Sequence, residues 1–157
     1  LKNNPAEIAS ILNDLLPDFT GASHFITMLY GQIDTSNDRV TFVRCGHPSP
    51  LLLHKSGELE TLNENGPAFG IFSNVGYVNE NMTLYAGDIL VIYTDGVIEL
   101  ENPIGEAFGF DRLHNLVSHY KKLAAKDLIR KVISETGAFS AFKTPLDDFT
   151  LVIIKKE

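Results

Sequence analysis

The sequence predicts an α+β fold in which a layered antiparallel β-sandwich is flanked by helices. Three observations support this class. Strand-like segments follow one another as hairpins, two helical segments come late in the chain, and strands and helices do not alternate as βαβ units. With 157 residues and 44% apolar side chains, the chain has the size and composition of one globular domain, residues 1–157.

The first element predicted is a helix. It begins near Pro5, a residue that suits the first helical turn, with Asn4 before it as a capping candidate. Pro17 is predicted to end it. Its predicted core face consists of four apolar residues at helical spacing, Ile8, Ile11, Leu12 and Leu15.

Two hairpins are predicted next. Residues 25–34 and 39–45 are rich in β-branched and aromatic side chains and are separated by a polar turn. Residues 51–54 and 58–62 flank a short loop whose Gly57 suits a tight hairpin turn.

The second half of the chain combines strands and helices. Residues 77–84 alternate weakly, whereas 88–94 are almost continuously apolar, which indicates a central strand covered on both faces. Residues 110–121 and 125–135 have helical periodicity. The apolar run 149–154 is predicted to be a last buried strand.

Charge and composition exclude several classes of protein. Twenty acidic and 13 basic residues give a net charge of −7 with no basic stripe, which argues against a nucleic-acid partner. The only cysteine, Cys45, cannot form an internal disulfide, and the N-terminal residues do not resemble a signal peptide, so we expect a cytoplasmic protein. The longest apolar runs, such as residues 89–93, are too short to span a membrane, and we expect no membrane contact by this domain.

Carboxylates stand at the ends of two apolar strands. Asp95 directly follows the apolar run 89–94 and precedes Gly96, while Asp147 and Asp148 directly precede the closing run 149–154. A carboxylate at the mouth of a sheet core must be hydrogen-bonded, exposed to water or bound to a cation. Oxygen ligands of this kind suit magnesium and manganese. The alternative is local: Asp-Gly is a common turn dipeptide, and Asp is favoured at strand ends.

Gly46 and His47 form a second candidate segment, between a strand and a rigid Pro-Ser-Pro sequence. His47 can contact a phosphoryl group or act as an acid or base, and its structural alternative is a hydrogen-bonded turn histidine. Cys45 is interpreted as a buried strand residue and not as a nucleophile. Three polar residues after the core strand are interpreted as loop residues or, alternatively, as support for Asp95: Glu99, Glu101 and Asn102.

Together these segments resemble the SpoIIE-type branch of the metal-dependent, protein phosphatase 2C-like (PPM) family. Residues 45–50 read CGHPSP and are similar to the family's Ala-Gly-His-Asn-Pro-Pro segment, and residues 66–70 read GPAFG, similar to its Gly-x-Pro-x-Gly loop. Residues 86–88 (AGD) resemble its Pro-Gly-Asp, residues 93–99 read YTDGVIE, and residues 147–150 (DDFT) match its closing Asp-Asp-x-Thr. The ordered set covers the chain almost from end to end.

The resemblance implies a protein serine/threonine phosphatase. Asp95 and Asp147 would be metal ligands for two Mn²⁺ or Mg²⁺ ions, which activate a water that attacks phosphoserine or phosphothreonine directly. Asp148, Gly96, Gly46 and His47 would contact the substrate or support the ligands. The implied partner is a phosphorylated bacterial regulatory protein of the anti-anti-sigma type.

One departure qualifies the resemblance. Family members begin with a strand pair carrying an Asp-Gly or Gly-Asp-Val type motif that completes the metal site, and this chain has no such motif. We therefore expect an N-terminally truncated domain, the C-terminal part of a larger domain or protein, or a natural variant that lost the motif. Such a chain would bind metal weakly and turn over slowly or not at all. One alternative is a catalytically inactive module that binds a partner, or forms a homodimer, through an open sheet edge. A more distant alternative is a phosphodiesterase.

Overall fold

The computed structural model describes residues 4–20, 24–60, 62, 66–143 and 147–157, with the backbone alone for 18–20. The elements in chain order are α1 (Pro5–Thr20), β1 (Met28–Asp34), β2 (Arg39–Cys45), β3 (Leu51–Leu53), β4 (Leu59–Glu60), β5 (Glu80–Thr83), β6 (Ile89–Tyr93), α2 (Asp95–Ile98), α3 (Gly109–His119), α4 (Ala125–Phe139) and β7 (Leu151–Lys155). The described residues form two compact units, Leu1–Ser49 with Leu62–Leu84 and Pro50–Thr61 with Tyr85–Glu157. The α+β class with antiparallel sheets is confirmed.

The first unit is built on a three-stranded antiparallel sheet in the order β1-β2-β5. The predicted first hairpin is present, with Tyr30 opposite Val43 and Gly31 opposite Phe42. Gly31 is required by this pairing, because a Cβ atom there would lie 2.6 Å from the Cβ of Phe42. The central strand β2 is therefore buried along most of its length.

Helix α1 packs on this sheet with a different face from the one predicted. Ala6, Ala9 and Asn13 are buried. Two of the three are alanines, whose small side chains let the helix backbone approach β2 closely. The predicted core residues Ile11, Leu12 and Leu15 are instead 60%, 42% and 46% exposed.

The C-terminal end of α1 also differs from the prediction. The helix continues through Pro17 to Thr20. A proline removes one backbone hydrogen bond of a helix, and this loss does not prevent the following residues from being helical.

The second unit contains a four-stranded antiparallel sheet in the order β4-β3-β6-β7. The predicted second hairpin is present: the Gly57 N–H donates to the His54 carbonyl over 2.8 Å, and the φ of Gly57 is +99°. β6 is central and buried as predicted, whereas β7 lies at the edge of the sheet. Because an edge strand has only one neighbour, Ile153 is the only residue of β7 that is buried, and Val152 is 44% exposed. The prediction of a buried last strand was therefore wrong for most of its residues.

Helices α3 and α4 cover one face of this second sheet. Leu113 and Val117 of α3 and Leu128 and Val132 of α4 are fully buried in a core shared with β3 and β6. Both helices were predicted, although α3 begins one residue earlier and α4 ends four residues later than the sequence indicated. Among the helices of the described residues, none is long and apolar enough to cross a membrane.

Candidate metal centre

The pairing of β6 with β7 brings the two predicted carboxylate segments together. Tyr93 lies opposite Leu151, so the residues after β6 run beside the residues before β7. The Thr94 hydroxyl donates to the Asp148 carbonyl over 2.7 Å and accepts the Thr150 N–H over 2.9 Å. The Thr94 N–H also donates to the Thr150 carbonyl, over 3.1 Å. Asp95 and Asp147 are therefore held on neighbouring backbone segments by one threonine.

Gly96 is needed at this point for its lack of a side chain. A Cβ atom on Gly96 would lie 2.5 Å from the carbonyl oxygen of Asp148 and 3.3 Å from that of Asp147. The Asp-Gly dipeptide is thus the place where the chain passes directly against Asp147 and Asp148. Only glycine permits this approach without a shift of the backbone.

The two carboxylates differ in exposure but have similar local bonding. Asp95 is half-buried at the start of α2, and its Oδ1 accepts the Gly96 N–H over 3.1 Å. Asp147 is exposed, and its Oδ1 accepts the Asp148 N–H over 2.7 Å. Within the described residues, the second oxygen of each carboxylate accepts no hydrogen bond and is available to a cation. A pair of carboxylate oxygens fits hard divalent ions.

The described residues therefore provide only part of the ligand set that such an ion needs. Across the parts of the chain that the structure describes, no group of three or more His, Cys, Asp or Glu side chains is arranged to hold a metal ion. Asp95 and Asp147 can supply two ligands.

A cavity of about 480 Å³ lies beside the carboxylate pair. Its lining contains three acidic residues and one lysine and consists of Gly96, Glu99, Leu100, Glu101, Ala107, Lys143 and Asp147. Glu99 and Glu101, predicted as loop residues or as support for Asp95, therefore face the same space as Asp147. Asn102 has the predicted loop role, since its side-chain oxygen accepts the N–H groups of Ile104 and Glu106.

Sequence reasoning missed two residues of this site. Thr94 belongs to the apolar run and to the family-like segment 93–99, but the sequence predicts no role for its side chain. Lys143 follows α4 in a loop that has no motif around it, so only its position in the fold places it at the cavity. The position of Lys143 carries no local signal of function.

Gly46 and His47 belong to the first unit and are described within it. Gly46 has a φ of +70°, and a Cβ atom there would lie 2.7 Å from the Cβ of Ala68. The His47 ring Nδ1 lies 3.0 Å from the Pro48 carbonyl oxygen, which fits a donated hydrogen bond and the role of a turn histidine. The part of these two residues in substrate contact stays a prediction.

Cys45 has the properties of a core residue. It is fully buried, and burial raises the pKa of its thiol to about 12. The thiolate is the reactive form of cysteine, so Cys45 is unsuited to act as a nucleophile at neutral pH.

The fold and the site can be compared with known proteins. The SiaA-PP2C domain of Pseudomonas aeruginosa has a TM-score of 0.85 to this chain at 16% sequence identity, covering 98% of this chain and 61% of that one. At this identity the similarity establishes the fold, which is that of the PP2C-like phosphatase domains.

Sequence similarity then defines the family. The family model of Stage II sporulation protein E (SpoIIE) matches residues 1–157, and the chain belongs to this family. Two relatives from Bacillus subtilis strain 168 are named phosphoserine phosphatases. RsbP is 29% identical over 95% of this chain and 36% of its own length, and RsbU is 25% identical over 98% of this chain and 46% of its own length. The chain thus spans less than half the length of these relatives.

Proposed function

We propose that the protein hydrolyses phosphoserine or phosphothreonine on a bacterial regulatory protein, with Asp95 and Asp147 as metal ligands. The observation that carries the proposal is the β6–β7 pairing, which holds Asp95-Gly96 against Asp147-Asp148 with free carboxylate oxygens beside a cavity. The two B. subtilis relatives named as phosphoserine phosphatases support the reaction class. Sigma-factor regulation through an anti-anti-sigma type substrate is the cellular role we propose, in the cytoplasm.

The charge of the cavity explains why such a reaction needs cations. Glu99, Glu101 and Asp147 face the space in which a phosphate would bind, and they would repel a phosphate dianion. When bound, Mn²⁺ or Mg²⁺ supplies an activated water and neutralises charge on the phosphoryl oxygens. Lys143 is the cationic side chain of the cavity lining, and in this proposal it contacts the phosphoryl group.

The residues of the chain have distinct roles in this proposal. Asp95 and Asp147 hold the cations, and Thr94 fixes their two backbone segments relative to each other. Gly96 allows the segments to touch. Asp148 supports the site through its backbone carbonyl, and its exposed carboxylate is available as a further ligand.

The test is hydrolysis of a phosphoserine peptide and of para-nitrophenyl phosphate by the purified protein with millimolar Mn²⁺. Replacing outer partners of metal ligands typically costs about 10–100-fold in affinity or activity, so Asp95→Asn and Asp147→Asn should each cost at least about 100-fold. Asp111→Asn, which removes an exposed charge from α3, is the matched control and should retain full activity. Activity that survives both site substitutions would refute the assignment.

A second candidate is an inactive phosphatase-like module that forms a homodimer. It is favoured by the exposed apolar side chains of Ile11, Leu12 and Leu15 on α1. Calorimetric titration with Mn²⁺ separates the two candidates. Absence of metal binding, together with a dimer in sedimentation that Leu12→Lys dissociates, would favour the module over the enzyme.

A further inference from the structure

A second cavity, of about 720 Å³, lies in the same unit and has the opposite charge. Its lining contains five of the chain's 13 basic residues and a single acidic residue, Glu157. The five are Lys55, Lys121, Lys122, Lys155 and Lys156, and together with the other lining residues they define what we call the lysine pocket. Such a concentration of positive charge is unexpected in a chain with a net charge of −7.

The five lysines of the pocket come from three separate segments. Lys55 comes from the β3–β4 turn, Lys121 and Lys122 from the loop after α3, and the last two lysines from the end of β7. The Gly87 N–H donates to the Lys156 carbonyl over 2.8 Å, which places the pocket at the start of β6. Asp95 follows the other end of β6, and a five-residue strand is roughly 15 Å long. The lysine pocket is therefore separate from the carboxylate pair.

Two of the ammonium groups are fixed in place by backbone carbonyls. The Lys155 Nζ donates to the Lys121 carbonyl over 2.7 Å and to the Leu123 carbonyl over 2.5 Å. The Lys121 Nζ donates to the Lys55 carbonyl over 3.2 Å. Because an ammonium group has three N–H donors, each still has at least one donor for a ligand. These lysines are held at the pocket and do not simply extend into solvent.

Four of the five lysines of the pocket make no ion pair with a carboxylate of the described residues. The ion pairs of the described residues do not include Lys55, Lys121, Lys122 or Lys155. The pocket also includes the start of α4, where the N-cap residue Ala124 provides no side-chain oxygen for the first N–H groups. Mutual repulsion of the lysines and the helix dipole both favour a bound anion.

We propose that the lysine pocket binds a small ligand that carries two or more phosphate groups. Several ammonium groups around one space match several phosphates better than one, and lysine binds phosphate as a point charge. The volume is within the range of small-molecule sites. A long nucleic acid fits less well, because beyond the pocket it would run along an acidic protein.

Calorimetric titration of the purified protein with inorganic tripolyphosphate, without divalent metal, tests the proposal. Lys55 and Lys122 are exposed, so Lys55→Gln/Lys122→Gln should leave the fold intact, with an unchanged melting temperature. We expect this variant to weaken binding by about tenfold or more, since each exposed charge interaction contributes up to about fivefold. Arg39→Gln/Arg130→Gln removes the same charge from exposed positions outside the pocket and should weaken binding less than about twofold.

Further measurements separate the pocket from the carboxylate site and from general charge attraction. Asp95→Asn should bind tripolyphosphate as the unchanged protein does, and orthophosphate should bind at least about tenfold more weakly, as expected when several charge contacts are lost. Equal weakening by the two double variants, or no saturable binding at millimolar tripolyphosphate, would overturn the proposal. So would tighter binding of a single-stranded oligonucleotide, which would indicate an extended surface.

Discussion

Replacement of Gly96 by alanine should disturb the candidate metal centre, because the new side chain would press on the backbone of Asp148. The new Cβ atom would lie 2.5 Å from the Asp148 carbonyl oxygen and 3.0 Å from its carbon. Both are backbone atoms, and the same oxygen accepts the Thr94 hydroxyl, so neither segment can move without weakening that bond. Overpacking of this kind typically costs about 1–3 kcal/mol in the free energy of unfolding. We expect activity to fall as well, by about 100-fold, because displacements near 1 Å can have this effect.

Two measurements follow the effect of Gly96→Ala. Thermal unfolding should show a lower Tm by about 2–4 °C for each kcal/mol lost in a chain of this size. Phosphopeptide hydrolysis with Mn²⁺ reports the displacement of Asp95 and Asp147. Gly76→Ala is the matched control, because a Cβ atom there meets no atom within 4 Å. If the Tm and activity of Gly96→Ala equal those of Gly76→Ala, the close approach does not constrain the site and the reasoning is wrong.

Three further predictions concern buried or half-buried groups outside the carboxylate pair. Glu80→Ala should destabilise the protein by about 3–5 kcal/mol in urea unfolding, because it leaves the buried Arg44 without the carboxylate 3.2 Å from its Nε; an unchanged midpoint would contradict this. Burial disfavours the charged form of His54, but hydrogen bonds and charges from Asp88 and Glu60 outweigh it and raise the pKa of His54. The stabilisation that charged His54 gives the folded state is complete below the ordinary histidine pKa and is lost as pH rises through the raised pKa. The loss in free energy of unfolding caused by His54→Gln should therefore shrink between pH 6 and pH 9. A loss that stays constant over this range would refute the charged state of His54. Because burial raises the pKa of Cys45 to about 12, the thiol should resist iodoacetamide at pH 8 until urea unfolds the chain, and rapid labelling of the folded protein would disprove its burial.

The sequence predicted those elements whose residue pattern follows directly from burial or from backbone geometry. The continuous apolar run of β6 follows from burial on both faces, and Gly57 follows from the backbone of its turn. Helix α1 was misread because hydrophobicity and burial diverge there. Its packed face uses Ala6 and Ala9 for close approach, together with Asn13, whose amide bonds to the Phe72 carbonyl and the Gly70 N–H. A buried asparagine with specific backbone partners leaves no periodic signal.

The candidate site was predictable to the extent that it depends on strand ends. Asp95 follows one buried strand and Asp147 precedes another, but their proximity depends on β6 and β7 being neighbours, and the resemblance to the phosphatase family indicated this where local chemistry did not. The contribution of Thr94 depends on a hydroxyl shared between two segments. The contribution of Lys143 depends on the path that the chain takes after α4. Tertiary contacts of this kind cannot be predicted from the spacing of residues in the sequence.

The lysine pocket follows from the same strand pairing as the carboxylate pair, at the opposite end of the strands. Antiparallel pairing with Tyr93 opposite Leu151 also sets Ile89 opposite Lys155, so the register that joins the aspartates brings Lys155 and Lys156 to the start of β6. A shift of this register by two residues would therefore displace Asp147 from Asp95 and the two β7 lysines from the pocket at once. The absence of a basic stripe in the sequence argues against a linear polyanion, yet it does not exclude a pocket whose five lysines come from three distant segments. For a small phosphorylated ligand, the arrangement of charge in the fold decides binding, and the net charge of the chain does not.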